Sequence, residues 1–108
     1  MAPHKLLDGL AVNEGHPASF KIPSTSEKAT IRPGDYVKVG FVVDSSIGQQ
    51  ERVWVQVQSV NHNKIVGVLD NDPVYADVRF GEQIELELRH VLGIERLVSG
   101  SLRLGQNP

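Results

Sequence analysis

Cysteine is absent from all 108 residues, which excludes disulfides, zinc ribbons and thiol nucleophiles. Long apolar runs are missing too: none approaches the roughly 20 residues of a membrane-spanning helix. The opening stretch, MAPHKLLDGLAVNEG, carries Asp8 and Glu14 where a signal peptide needs an uninterrupted apolar core. A soluble, cytoplasmic protein with no membrane partner is therefore expected. Aromatic residues are scarce, at one tryptophan, two tyrosines and three phenylalanines. The outward positions after Trp54 are glutamines and residues 70–87 are strongly acidic, so nucleic-acid binding is not expected.

Familiar signatures of catalysis are also lacking. The patterns G-x-S-x-G, G-x-G-x-x-G and G-x-x-x-x-G-K-[ST] do not occur, which removes the nucleophile elbow and the usual phosphate cradles. The histidines, His4, His16, His62 and His90, never stand at i, i+2 or i, i+4, the spacings that put two imidazoles on one face. No catalytic residue, cofactor or metal is expected. His90 closes the last strong strand pattern, and a hydrogen-bonded residue at the rim of the sheet is its expected role.

What is present is alternation with period two from residue 36 onward. In YVKVGFVV, Val37, Val39, Phe41 and Val43 share a face; in RVWVQVQSV, Val53, Val55 and Val57 do; in EQIELELRH, Ile84, Leu86 and Leu88 do. KIVGVL is apolar on both faces, as suits a short central strand. The polar DSSIGQQE and the tight NHN read as hairpin connections, with an asparagine expected to take the left-handed conformation. PGDYVKV and FGEQIEL each place a glycine and an acid before a strand, an echo that reads as shared turn chemistry. Before residue 36, Ser24 and Glu27 stand at capping-box spacing and predict one or two helical turns. The segment VLGIERLV is compatible with a strand or a short helix.

A chain of this length forms one domain, here residues 16–98 between a flexible N-terminal segment (1–15) and a C-terminal tail (99–108). The expected fold is mainly β: a small antiparallel barrel or strongly curled, SH3-like sheet with a short N-terminal helix. An α+β roll is the alternative.

GDYVKVGFVVD, ERVWVQVQSV, GVLDNDPVYADVRFGEQIEL and HVLGIE, in that order, resemble a widespread family of small bacterial β domains of unknown function. The shared features are a W-V-x-V strand, a G-x-L-x-N-D-P turn and a G-[DE]-x-[VI] strand opening. The resemblance spans about residues 16–95 and implies a bacterial, cytosolic, mostly β module. It implies no particular activity; related small β modules occur among immunity proteins.

Charge is unevenly spread. The net charge is −2, yet residues 70–87 hold six acids (Asp70, Asp72, Asp77, Glu82, Glu85, Glu87) against Arg79 alone. Such a segment attracts cations or a basic partner surface. The stretch Asp70-Asn71-Asp72-Pro73 reads first as an Asx-type turn. Calcium needs six to eight oxygens, and Pro73 and Val74 occupy positions where further ligands would sit. Trp54 lies opposite Val53, Val55 and Val57, and an indole left in water forgoes roughly 4–6 kcal/mol of burial as an upper bound. Either the arm holding Phe20 and Ile22 covers it, or a partner does. The expected function is a non-catalytic protein-binding module, immunity or regulatory in kind, recognising a basic partner surface through Trp54, Tyr75, Asp77, Glu85 and Glu87. The alternative is a small enzyme or a cation- or ligand-binding protein using the Asp70–Pro73 loop. The protein partner is unidentified, and a monomer or an edge-paired homodimer fits the open strand edges.

Overall fold

The computed structural model describes residues 6–44, 49–73, 78–98 and 101–102. Alternating valines build an antiparallel meander: β1 (Tyr36–Asp44), β2 (Gln49–Asn61), β3 (Lys64–Leu69) and β4 (Gln83–Glu87). A single 3-10 turn, Leu88–His90, then returns the chain as β5 (Gly93–Glu95), which pairs with β1. The sheet order is β4-β3-β2-β1-β5. This is the small, mainly β antiparallel sheet expected from the sequence; among the described residues it stays open between β4 and β5 instead of closing into a barrel. Two further short strands, β6 (Leu97–Val98) and β7 (Ser101–Leu102), pair with each other.

One face of the sheet holds the core. Val37, Val39, Val55, Ile65, Leu69 and Val91 have no exposed surface, as the period-two pattern requires. The phase of β2 changes once. Val53, Val55 and Val57 point inward, the register slips between Val57 and Ser59, and Val60 packs inward beyond it. That extra residue is a β-bulge, which bends the long strand and adds twist.

Two tight turns introduce β1 and β4, and they are the same turn. Asp35 N donates to Arg32 O (3.1 Å), and Arg32 N donates to Asp35 Oδ2 (3.1 Å). Glu82 N donates to Arg79 O (3.0 Å), and Arg79 N donates to Glu82 Oε1 (3.0 Å). The third residue is a glycine at positive φ in both, Gly34 at 96° and Gly81 at 85°, as a type II turn demands. Each glycine N–H then meets a sheet carbonyl, Val57 O for Gly34 and Leu69 O for Gly81. The echo of PGD and FGE is thus turn chemistry used twice.

The helical prediction near Ser24 is realised as α2 (Thr25–Lys28), with Glu27 N on Ser24 Oγ (3.1 Å) and Ser24 N on Glu27 Oε1 (2.8 Å). Within the segment expected to be flexible, the structure builds α1 (Gly9–Gly15), capped by Asp8 Oδ1 on Ala11 N. Leu6 bridges to Phe41 ahead of it. Its cue is one capping aspartate on a half-apolar stretch, and tertiary contact completes it. At the NHN turn the positive φ falls on His62 (60°), not on an asparagine. Within residues 91–98 the structure forms two short strands and no helix: Gly93–Glu95 pairs with β1, with Val37 opposite Ile94, and Leu97–Val98 pairs with β7. Among the described residues no helix is long and apolar enough to cross a membrane.

Candidate interaction surface

Trp54 stands on the outer face of β2. Its register partner on β1 is Lys38, which in turn pairs with Gly93 on β5. The Lys38 ammonium lies 5.0 Å from the indole centroid. A Cβ at Gly93 would stand 4.0 Å from Trp54 Cη2, so the indole reaches across β1 to the bare backbone of β5. From the arm, Phe20 lies 5.5 Å from the guanidinium of Arg52, two residues before Trp54 on the same strand, and Ile22 lies near Gly9. The half-buried indole thus has the Lys38 ammonium and the Gly93 backbone beside it.

The DNDP turn is tied to the same tryptophan. Asp70 N donates to Trp54 O (2.9 Å), and Trp54 N donates to Asn71 Oδ1 (2.5 Å). The asparagine side chain stands in for a backbone carbonyl and carries the β2–β3 ladder past the last paired residue, Leu69. Asp70 and Asp72 are exposed. Among the described residues no three His, Asp or Glu side chains are grouped to hold a metal ion. Tyr75 and Asp77, two of the five residues expected in the interaction surface, lie outside the described residues.

Glu85 and Glu87 point outward on β4. Glu85 is exposed; Glu87 is partly buried and accepts an ion pair from Arg89 Nε at 2.9 Å. They do not share a patch with Trp54. β3 separates β4 from β2, and the residues beside the indole, Lys38 and Arg52, are basic. The outer face is split between a basic, aromatic side on β1 and β2 and an acidic side on β4.

β4 is also the edge of the sheet. Leu69 N donates to Glu82 O (2.9 Å) and Leu88 N to Asn63 O (3.0 Å), while Ile84 and Leu86 pair with Gly67 and Ile65. Main-chain groups alternate sides in an antiparallel ladder. Those of Ile84 and Leu86 therefore face β3, and those of Gln83, Glu85 and Glu87 face away from it. The outward Glu87 N–H is taken by His90 Nδ1 (3.0 Å). That bond needs the neutral imidazole, and burial, with help from Arg89, lowers the His90 pKa against the opposing pull of Glu87 and Asp8. His90 caps the end of the edge, in keeping with its expected place at the rim. A cleft of about 160 Å³ lies there, lined by Lys64, Glu85, Leu86, Glu87 and His90.

Phe80 was not among the expected surface residues. Its side chain is 65 % exposed at the tip of the turn that opens β4. A signal for it did exist: the equivalent position in the matching turn is Pro33, the residue that turn geometry favours. A second cleft, about 220 Å³, lies between α1 and α2 and is lined by Leu10, Thr25, Lys28, Ala29, Leu88 and Arg89. Lys28 is buried there at 8 % exposure. Desolvation lowers its pKa, and Asp8 partly offsets this.

Searches of protein-family models, curated proteins and solved structures found no match to this chain.

Proposed function

We propose that this chain is a non-catalytic protein-binding module that receives a basic surface of another protein, as an immunity or regulatory protein would. One observation carries the reading: the most acidic strand is also an edge of the sheet with no described strand beyond it, Glu85 and Glu87 pointing outward and an aromatic at its start. Edge strands offer unpaired main-chain groups to any incoming chain, and charge decides which chain is accepted. The resemblance of its W-V-x-V and N-D-P motifs to small bacterial β domains is what suggests a cytoplasmic, bacterial setting. In this reading the Asp70–Pro73 loop is scaffolding, because Asn71 is committed to the Trp54 main chain.

NMR titration of the labelled protein with a lysine-rich peptide, and with a glutamate-rich peptide of equal length, tests the reading. Shifts confined to the lysine-rich titration, centred on β4 and lost in Glu85→Lys, support it. Equal shifts with both peptides would remove it. Calcium titration by calorimetry bears on the loop: a saturating isotherm abolished by Asp70→Asn would move the function to Asp70–Pro73.

A further inference from the structure

We infer that the partner binds by strand addition: an extended segment of another protein, alternating basic and apolar residues, pairs along the outer edge of β4 and seats an apolar residue on Phe80. The inference rests on the binding-module reading and specifies its geometry.

Three observations converge on it. The first is main-chain parity. Gln83 and Glu85 direct both N–H and C=O away from β3, and no described strand lies beyond β4. Such a row is what an added strand pairs with. His90 satisfies the outward Glu87 N–H, so the edge open to a partner runs from the Phe80 turn to Glu85 and stops at the cleft.

The second is the pattern of side chains. Residues of an added strand alternate faces. Those on the outer face meet Gln83, Glu85 and Glu87, and cross-strand pairing there favours lysine or arginine. Those on the inner face extend the row of Ile84 and Leu86, which pack on or within the core. A basic-apolar alternation satisfies both faces at once. A second copy of this chain does not. Antiparallel pairing of β4 with itself about Glu85 would set Glu85 against Glu85 and Gln83 against Glu87, with carboxylates clustered on one face. The occupant is therefore a different protein.

The third is Phe80. The turns Arg32–Asp35 and Arg79–Glu82 share their hydrogen bonds and their positive-φ glycine, so the turn can be built without an aromatic at its second position. Pro33 fills that position in one turn, and a 65 % exposed phenylalanine fills it in the other. An exposed ring at the mouth of an open edge is an anchor of the kind that dominates interfaces.

The test uses the full chain, labelled with nitrogen-15, and two short peptides of equal composition. One alternates lysine and valine; the other holds its lysines in one block and its valines in another. Strand addition predicts that the alternating peptide binds more tightly and slows hydrogen exchange at the Gln83 and Glu85 amides. Gln83→Pro removes an outward N–H while keeping the β3 ladder and every charge. It is expected to weaken the alternating peptide about fivefold to tenfold, the worth of a ladder hydrogen bond. Phe80→Pro copies the Pro33 turn, preserves the fold and weakens the same peptide. Equal binding of both peptides with no effect of Gln83→Pro overturns strand addition and leaves the basic-partner reading intact. Failure of both peptides to bind, or binding unchanged in Glu85→Lys, overturns that reading as well. Protection of Gln83 and Glu85 without peptide, together with a sedimenting dimer, assigns the edge to a second copy and overturns the proposal.

Discussion

Lys38 Nζ stands 5.0 Å from the centroid of the Trp54 indole, directly across the β1–β2 register. The pairing places a cation on the ring that sequence reasoning offered to an acidic patch. An ammonium at that distance attracts the ring face and shields it from water. Lys38→Ala is expected to red-shift tryptophan emission and to cost about 0.5–1 kcal/mol in urea denaturation. An unshifted spectrum would mean that the lysine does not rest on the ring.

Asn71 Oδ1 takes the Trp54 N–H that lies past the last paired residue of β3. Asn71→Leu leaves that donor unpaired and should lower stability by about 1–3 kcal/mol. Asn71→Asp keeps an acceptor oxygen and should retain most of it. Comparing the two by urea denaturation separates a ladder role from simple packing, under which both would lose alike.

Gly67 lies where β3 crosses β2 beside the bulge. A Cβ there would approach Val55 Cγ1 to 2.4 Å and Gln56 O to 2.6 Å. Since one of these atoms is backbone, Gly67→Ala forces the strands apart and should cost about 1–3 kcal/mol. Phe80→Pro, adopting the Pro33 turn, should instead be neutral or stabilising by up to about 1 kcal/mol. Thermal denaturation of both variants checks the contrast.

Lys28 is held at 8 % exposure between α1 and α2, with its pKa lowered by desolvation. Lys28→Met keeps the length of the side chain and removes the burial of charge. The variant is expected to melt at or above the temperature of the parent. A clear loss would show that the ammonium makes a net favourable contact.

His90 must be neutral to accept the Glu87 N–H. Its folded pKa lies below 6.5 and its unfolded pKa near that value. As pH falls through 6.5 the unfolded chain takes up the proton first, so stability drops until the folded form also protonates. The contribution is present in full above pH 6.5. The stability difference between the parent and His90→Gln, followed by urea midpoints from pH 7.5 to 5, should shrink on acidification. A difference independent of pH would refute the neutral cap.

Much of the fold was written in local pattern. Period-two runs placed β1, β2, β3 and β4, Ser24 with Glu27 placed the capped turn of α2, and the PGD and FGE echo announced one turn used twice. Each is a short-range fact: side chains alternate by two, a hydroxyl reaches three residues on, and a glycine admits positive φ. The acidity of the β4 segment and the Asx character of DNDP were equally legible.

Register and sheet order could not be read that way, because they join residues far apart in the chain. Which cation would face Trp54 depended on the pairing of residue 38 with residue 54. That β4 would be an edge depended on β5 returning to β1 instead of closing against it. Local chemistry thus set the strands, the turns and the charges. The tertiary pairing decided which acids stand on an open edge and which aromatic is covered, since only long-range hydrogen bonding assigns neighbours across a sheet.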